Sequence, residues 1–178
     1  MLLVERHLIK GTPEIIYLCT QSKDLYNRCN FLMRKAWFAH EKLPDINVLV
    51  KFSKGLECYS NLHNTKTAAQ TIRKVITDWS NFKKALNAYN KDPSKFLRKP
   101  KPPYYKKKLA QVIFFTETIR TKPILNGVLI PTNDCFSVNS KVMNNKKELH
   151  QVVITPKTFG FIVEVQYDVE RDKAKVNK

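Results

Sequence analysis

A short run near the middle of the chain combines aromatic rings with cations. Residues 103–108 read Pro-Tyr-Tyr-Lys-Lys-Lys. Phenol rings can stack on unpaired bases or on ribose, and ammonium groups can meet phosphates, so the run indicates contact with a nucleic acid. The alternative is that both tyrosines pack a joint between two domains. Pro100, Pro102 and Pro103 disfavour a helix here, which indicates an extended connector rather than a basic membrane-surface helix.

A polar stripe on a predicted helix is the second candidate. Apolar residues recurring every three to four positions predict a long helix from Asn64 or Thr65 to about Tyr89. Asp78 is its only carboxylate. A solvated helix face, which is the alternative, normally mixes charges of both signs. Donor-rich side chains share one side of this helix: Lys66, Gln70, Arg73, Thr77 and Lys84.

No arrangement typical of catalysis or of metal binding is recognisable in the sequence. The four glycines leave little room for a phosphate-binding loop, and no Cys pair has C-x-x-C spacing. Cys58 and His63 could share a metal, but two ligands do not make a structural zinc site. Glu164 and Asp168 would lie about 13 Å apart along a strand, which is too far to share one ion. We therefore expect no catalytic residue, metal site or cofactor in this chain.

The charge of the chain narrows the class of its partners. The 178 residues include 32 Lys and Arg against 15 Asp and Glu, a net charge of +17. Positions 91–108 hold eight basic side chains and only one acidic side chain, Asp92. Such clustering is typical of phosphate binding. The alternatives are a basic protein from a Lys/Asn-rich proteome and, less favoured, binding to an anionic membrane surface. No membrane-spanning run or secretory signal is evident, and four scattered cysteines favour an intracellular, reduced protein.

The hydrophobic pattern changes its period along the chain. Residues 2–9 read as a strand, and a long helix is predicted from Pro13 to about His40, followed by a short one capped by Asp45. After residue 110 the period becomes two. Asn126-Gly127 indicates a hairpin between Ile124 and Ile130. Further strands are predicted in four segments: 112–120, 135–141, 151–155 and 159–169.

These elements predict an α+β fold. Because the N-terminal strand needs partners that appear only after residue 110, we expect a small antiparallel β-barrel of about seven strands, with a helical insertion between its first and second strands. The predicted domains are a barrel (residues 1–12 and 103–170), a helical insertion (13–102) and a linker to a missing domain (171–178).

The order of these parts resembles the N-terminal half of TnpB, the transposon-encoded RNA-guided nuclease related to type V CRISPR effectors. The resemblance covers nearly the whole chain and depends on motifs in sequence order. They are Leu25-Tyr26-Asn27 with Phe31-Leu32-Met33-Arg34, Thr67-Ala68-Ala69-Gln70, Trp79-Ser80-Asn81-Phe82, the run from Pro102 to Lys108, and the closing strand.

The resemblance implies a role for each part. The barrel corresponds to the wedge domain and the insertion to the recognition domain, which together hold guide RNA and read a short motif beside the DNA target. Gln can pair with adenine through two hydrogen bonds in the major groove. The residues expected to contact the DNA motif are Lys66, Thr67, Gln70, Arg73, Thr116 and Thr118. Those expected to contact RNA or phosphate are Lys10, Arg28, Lys74, Lys84, Arg98, Lys99, Lys101, Tyr104, Tyr105, Lys106, Lys107 and Lys108.

The sequence ends before the family's nuclease domain. That domain would supply the acidic triad and would use Mg and a structural Zn. We therefore expect a chain that is not an enzyme alone, and that binds guide RNA and target double-stranded DNA in a nucleoid-associated, cytoplasmic setting. One alternative is a split nuclease whose second polypeptide supplies the catalytic domain. The other is a DNA-only transposon accessory or regulatory protein.

Overall fold

The computed structural model describes residues 2–124, 126–140 and 149–168. The α+β class is confirmed. Two 3-10 turns lie at Pro93–Lys95 and Thr116–Thr118. The helices and strands, in chain order, are β1 (Leu2–Ile9), α1 (Pro13–Phe38), α2 (Ile46–Ser53), α3 (Glu57–Ser60), α4 (Thr65–Lys91), β2 (Val112–Phe115), α5 (Thr121–Ile124), β3 (Val128–Leu129), β4 (Val138–Asn139), β5 (Leu149–Lys157) and β6 (Gly160–Asp168).

The chain divides into two compact units. The helical unit is Ile16–Ala110, and the β-sheet unit combines Met1–Ile15 with Gln111–Lys178. In chain order the helical unit separates β1 from β2. The second boundary follows residue 110, whereas the sequence placed it after residue 102. The reason is that residues 103–110 are hydrogen-bonded to α1.

Side-chain caps start the helices where the sequence predicts them. Thr12 Oγ1 accepts a bond from the backbone N–H three residues on, at 3.3 Å. Asp45 caps α2 at 3.0 Å and Asn64 caps α4 at 2.7 Å in the same way. Each cap satisfies a backbone donor that has no partner within its own helix. The long helices therefore begin at positions that local chemistry specifies.

The core of the helical unit lies between α1 and α4. The hydroxyls of Ser22 and Thr71 are 3.0 Å apart, and farther along both helices the Trp37 and Phe82 ring centroids are 5.2 Å apart. Trp79 packs edge-on against Phe82 at 5.7 Å. Contacts that advance together along both helices show that α1 and α4 run in the same direction.

The β-sheet unit contains an open antiparallel sheet in the order β1-β6-β5-β2, and β3 and β4 form a separate pair. Thus β1 does join the later strands, from Leu2↔Asp168 to Ile9↔Phe161. The β5–β6 turn ends at Gly160, where the backbone passes close to Ile9 of β1.

The predicted seven-stranded barrel is wrong for the part of the chain that the structure describes, which has sheets of four and two strands. The predicted strand 112–120 stops at Phe115 and turns into the 3-10 segment. The predicted hairpin around Asn126-Gly127 is a turn from α5 into β3, in which the Asn126 and Gly127 N–H groups donate to the Pro123 and Ile124 carbonyls, each at 3.0 Å. The predicted linker 171–178, with Lys141 and Val169, lies outside the described residues.

Candidate nucleic-acid interface

Residues 103–110, here called the strap, follow the surface of α1 in an extended path. Asn27 of α1 holds the middle of the strap with both ends of its side-chain amide. Its Oδ1 accepts from the Lys106 backbone N–H at 2.7 Å, and its Nδ2 donates to the Lys106 carbonyl at 3.0 Å. This pairing copies the hydrogen bonding of a β-ladder, so a single side chain fixes both the position and the direction of the strap.

Two more α1 side chains hold the start of the strap. Asn30 Nδ2 and Arg34 Nη1 both donate to the Pro103 carbonyl, at 3.2 and 2.8 Å. Asn30 is fully buried, and its Oδ1 accepts from Trp79 Nε1 of α4 at 2.8 Å. At the other end of the strap, the Ala110 N–H donates to the Cys19 carbonyl at 3.2 Å. The strap is therefore anchored along four turns of α1 and, through Asn30, to α4.

Exposure along the strap repeats about every three residues. Pro103, Lys106 and Leu109 are half-buried, and the residues between them are exposed. A period of three is that of a polyproline II helix. Tyr104 and Tyr105 are 66% and 45% exposed. The strap therefore presents two tyrosines and, next along, Lys107 and Lys108 to solvent.

Lys106 differs from its two lysine neighbours. Its Nζ lies 4.3 Å from the centroid of the Tyr26 ring, a distance at which a cation is attracted to the ring face. Burial lowers the pKa of Lys106, and nearby Lys74 lowers it further, whereas Asp78 opposes the shift. Lys106 is thus less accessible to a phosphate than Lys107 and Lys108 are, because its ammonium group is half-buried against Tyr26.

Asp78, the only carboxylate of α4, is already paired. It accepts from the Tyr26 hydroxyl at 2.8 Å and from Lys74 Nζ at 2.6 Å. Burial raises the pKa of Tyr26, and the hydrogen bond to Asp78 raises it further. The predicted phosphate contact Lys74 therefore also serves as an ion-pair partner within the unit.

The exposed face of α4 is rich in cations. At 3.6 residues per turn, its six polar positions fall within about 60° of arc and span about 38 Å along the helix. All six are exposed except Gln70, which is half-buried. This surface, called the α4 stripe, contains Lys66, Gln70, Arg73, Thr77, Lys84 and Lys91.

The α4 stripe and the strap adjoin within the helical unit. Lys74 is four residues from Gln70 of the stripe, so these two side chains are neighbours on α4. Asp78, which pairs with Lys74, is hydrogen-bonded to Tyr26, over which Lys106 lies. The Lys74–Asp78–Tyr26–Lys106 cluster therefore connects the two surfaces.

The remaining predicted phosphate contacts are dispersed. Arg98, Lys99 and Lys101 precede the strap and are exposed. Asp92, the one acidic residue nearby, caps the turn that follows it and pairs with Lys95 at 3.2 Å, and hydrogen bonds to Ser94 and Lys95 lower its pKa. Lys10 belongs to the β-sheet unit, Arg28 lies on α1, and both are exposed.

Three of the predicted DNA contacts do not present their side chains on this surface. Thr67 is only 1% exposed, and its Oγ1 has no hydrogen-bond partner among the residues that the structure describes. Thr118 is equally buried and donates to the Phe115 carbonyl at 2.7 Å. Thr116 donates to the Leu149 carbonyl at 2.6 Å. Thr116 and Thr118 lie in a 3-10 turn rather than on the predicted strand, and both hydroxyls donate to backbone carbonyls.

Sequence reasoning missed the residues that hold the strap. The sequence does contain one sign of them, since polar residues recur on one side of α1 at helical spacing: Asn27, Asn30 and Arg34. It does not show what these residues bind.

Among the described residues, no group of three His, Cys, Asp or Glu could hold a metal ion. In the same part of the chain, no helix has both the length and the apolar character for crossing a membrane. The sequence matches no protein-family model, and no curated protein matches it at a significant level.

Proposed function

We propose that this chain is a nucleic-acid-binding module that holds RNA through the strap and the α4 stripe and reads a short DNA motif through α4. The observation that carries the proposal is the charge of this surface. Lys66, Arg73, Lys84 and Lys91 share one exposed face of α4, and the helix's only carboxylate, Asp78, is paired. Such a surface favours polyanions over other partners.

The shape of α4 suits duplex DNA. An α-helix fits the major groove, where the edge of each base pair is distinctive. Gln70 lies in the α4 stripe between Lys66 and Arg73, so an amide that can read adenine is flanked by cations that can position it on phosphates. Specificity then comes from Gln70, and affinity from the cations.

The resemblance to TnpB supports a finer assignment. In this assignment the RNA is a guide, the DNA motif lies beside the guide's target, and the nuclease activity belongs to another domain or polypeptide. The described residues of this chain bind and position the nucleic acids. Thr67, Thr116 and Thr118 have no part in the proposed contact, because their hydroxyls are buried or bonded to the backbone.

The experiment compares Gln70→Ala with Arg73→Ala, because Arg73 is the exposed cation of the α4 stripe next to Gln70. A library of DNA duplexes randomised over eight positions is selected with the RNA-bound protein, and the affinity of each variant is measured across the selected sequences. Gln70→Ala should relax the preference at one base pair by about 1–3 kcal/mol. Arg73→Ala should weaken binding to all duplexes by a similar factor, because a phosphate contact carries no sequence information.

Asn87→Ala, at an exposed position of α4 outside the α4 stripe, is the matched control. It should change neither the preference at any base pair nor the affinity for duplexes in general. If Gln70→Ala and Arg73→Ala lower affinity equally for every sequence, the proposed reading role of α4 is wrong. If the purified protein carries no RNA yet selects a DNA motif, the DNA-only alternative replaces the RNA-guided one.

A further inference from the structure

The strap and the end of α1 form an aromatic cluster around one arginine. The Arg34 guanidinium carbon lies 5.3 Å from the Phe38 ring centroid and 5.5 Å from the Tyr105 ring centroid. Its Nη1 donates to the Pro103 carbonyl at 2.8 Å. Cation–ring attraction operates at these distances, so the arginine fixes both rings in place.

The rings of this cluster are largely open to water. Phe38 is 61% exposed and Tyr105 is 45% exposed, beside Tyr104 at 66%. Exposed rings that are already ordered lose little conformational entropy when a planar ligand stacks on them. The cluster therefore has the properties of a preformed stacking platform.

The charges around the platform distinguish a base from a phosphate. A groove beside Phe38 is lined by Trp37, His40 and Glu41. The Glu41 carboxylate would repel a phosphate but can accept an N–H from the edge of a base. The exposed ammonium groups lie two and three residues beyond Tyr105 on the strap, which is less than about 10 Å at ~3.1 Å per residue. Bases thus fit at the rings and phosphates fit at Lys107 and Lys108.

We propose that Tyr105 and Phe38, ordered by Arg34, bind an unpaired nucleobase of single-stranded RNA while Lys107 and Lys108 hold the adjoining phosphates. The inference rests on the proposed function and deepens it, because it names the form of RNA that the strap takes. Bases in a duplex are paired and stacked on one another, so their faces cannot reach a side-chain ring. The strap is therefore specific for single strands.

The test uses a 12-nucleotide single-stranded RNA with a central 2-aminopurine, and the matching 12-base-pair duplex. Stacking on a ring quenches the 2-aminopurine fluorescence, and affinity is measured by titration of the full chain. Tyr105→Leu should lose the quenching and lower single-strand affinity about tenfold, within the range of one base–aromatic stack. Duplex affinity should change less than about twofold. Tyr105→Phe, which keeps the ring, should retain both the quenching and the single-strand affinity.

Tyr17→Leu is the matched control, because Tyr17 lies on α1 and is also 45% exposed. It should leave the quenching and both affinities unchanged. The inference is overturned if the wild-type protein binds the single strand without quenching, or if Tyr105→Leu retains quenching and affinity. In either case duplex binding would leave the proposed function standing. If neither RNA binds, the proposed function fails together with this inference.

Discussion

Adjacent residues of the same type have different roles in this chain. Lys106 lies half-buried over the Tyr26 ring with its pKa lowered by burial, whereas Lys107 and Lys108 are exposed. The sequence shows three equivalent lysines. Their difference arises because Asn27 fixes the strap at residue 106, and that contact joins residues 79 positions apart.

Gly160 offers a stability prediction at the residue scale. Its φ is +148°, and an added Cβ would lie 2.9 Å from the Ile9 carbonyl oxygen of β1. Gly160→Ala should therefore destabilise the β-sheet unit by about 2 kcal/mol or more, through both backbone strain and the clash with β1. Urea unfolding followed by circular dichroism measures the effect.

Gly55→Ala is the matched control, because a Cβ at Gly55 meets no atom within 4 Å and its φ needs no glycine. It should be neutral or slightly stabilising. Equal midpoints for Gly160→Ala and the wild-type protein would show that β1 does not pass close to the β5–β6 turn.

Sequence rules predict the role of a residue well only where its hydrogen-bond partner is close in the sequence. Thr12, Asp45 and Asn64 are recognisable as caps because their partners lie two or three positions away. Thr67 is polar and lies in the first turn of α4, yet it is buried. Its neighbour one turn on, Thr71, packs against Ser22 of α1, and the sequence does not contain that geometry.

At the scale of elements, helices were predicted more accurately than strands. The predicted end of α1 near His40 and the observed end at Phe38 differ by two residues, as do the predicted and observed ends of α4. Helical periodicity and caps are local, whereas strand pairing depends on distant segments. The strand predicted from Ile124 is wrong, because Ile124 ends the short helix α5 and β3 begins only at Val128.

The strap offers a prediction at the element scale. Asn27→Ala removes both hydrogen bonds to Lys106 and should raise amide hydrogen exchange at residues 104–108 while α1 remains folded. The free energy of opening the strap should fall by about 1–2 kcal/mol, because two hydrogen bonds of ordinary strength are lost. Single-strand RNA affinity should fall as well, since the platform at Tyr105 loses its order.

Asn90→Ala, an exposed asparagine of α4, is the matched control and should leave exchange in the strap unchanged. Unaltered amide protection at residues 104–108 in Asn27→Ala would mean that Asn27 does not hold the strap.

At the scale of the whole molecule, the sequence predicts the helical segment after the first strand and predicts that this strand joins strands after residue 110, but it does not predict the strand order of the open sheet. The pairing of β1 with β6 joins the two ends of the described chain, and no local pattern specifies it. The surface that carries the proposed function belongs to the helical unit alone. Its strap and α4 stripe need only contacts within Ile16–Ala110.

Nucleic-acid binding by the helical unit is the central claim, and the salt dependence of RNA affinity tests it most directly. The logarithm of the binding constant for a 12-nucleotide single-stranded RNA is measured against the logarithm of salt concentration. Three proteins are compared: the wild type, the strap variant with Lys107→Ala and Lys108→Ala, and a control with Lys122→Ala and Lys157→Ala in the β-sheet unit. Each variant replaces two lysines, so both lose the same charge, and all four lysines are exposed.

Each phosphate contact on a single strand contributes about −0.7 to the slope. The account predicts a steep negative slope for the wild-type protein, a slope shallower by about 1.4 for the strap variant, and an unchanged slope for the control. A wild-type slope near zero, or equal slopes for the strap variant and the control, would contradict it.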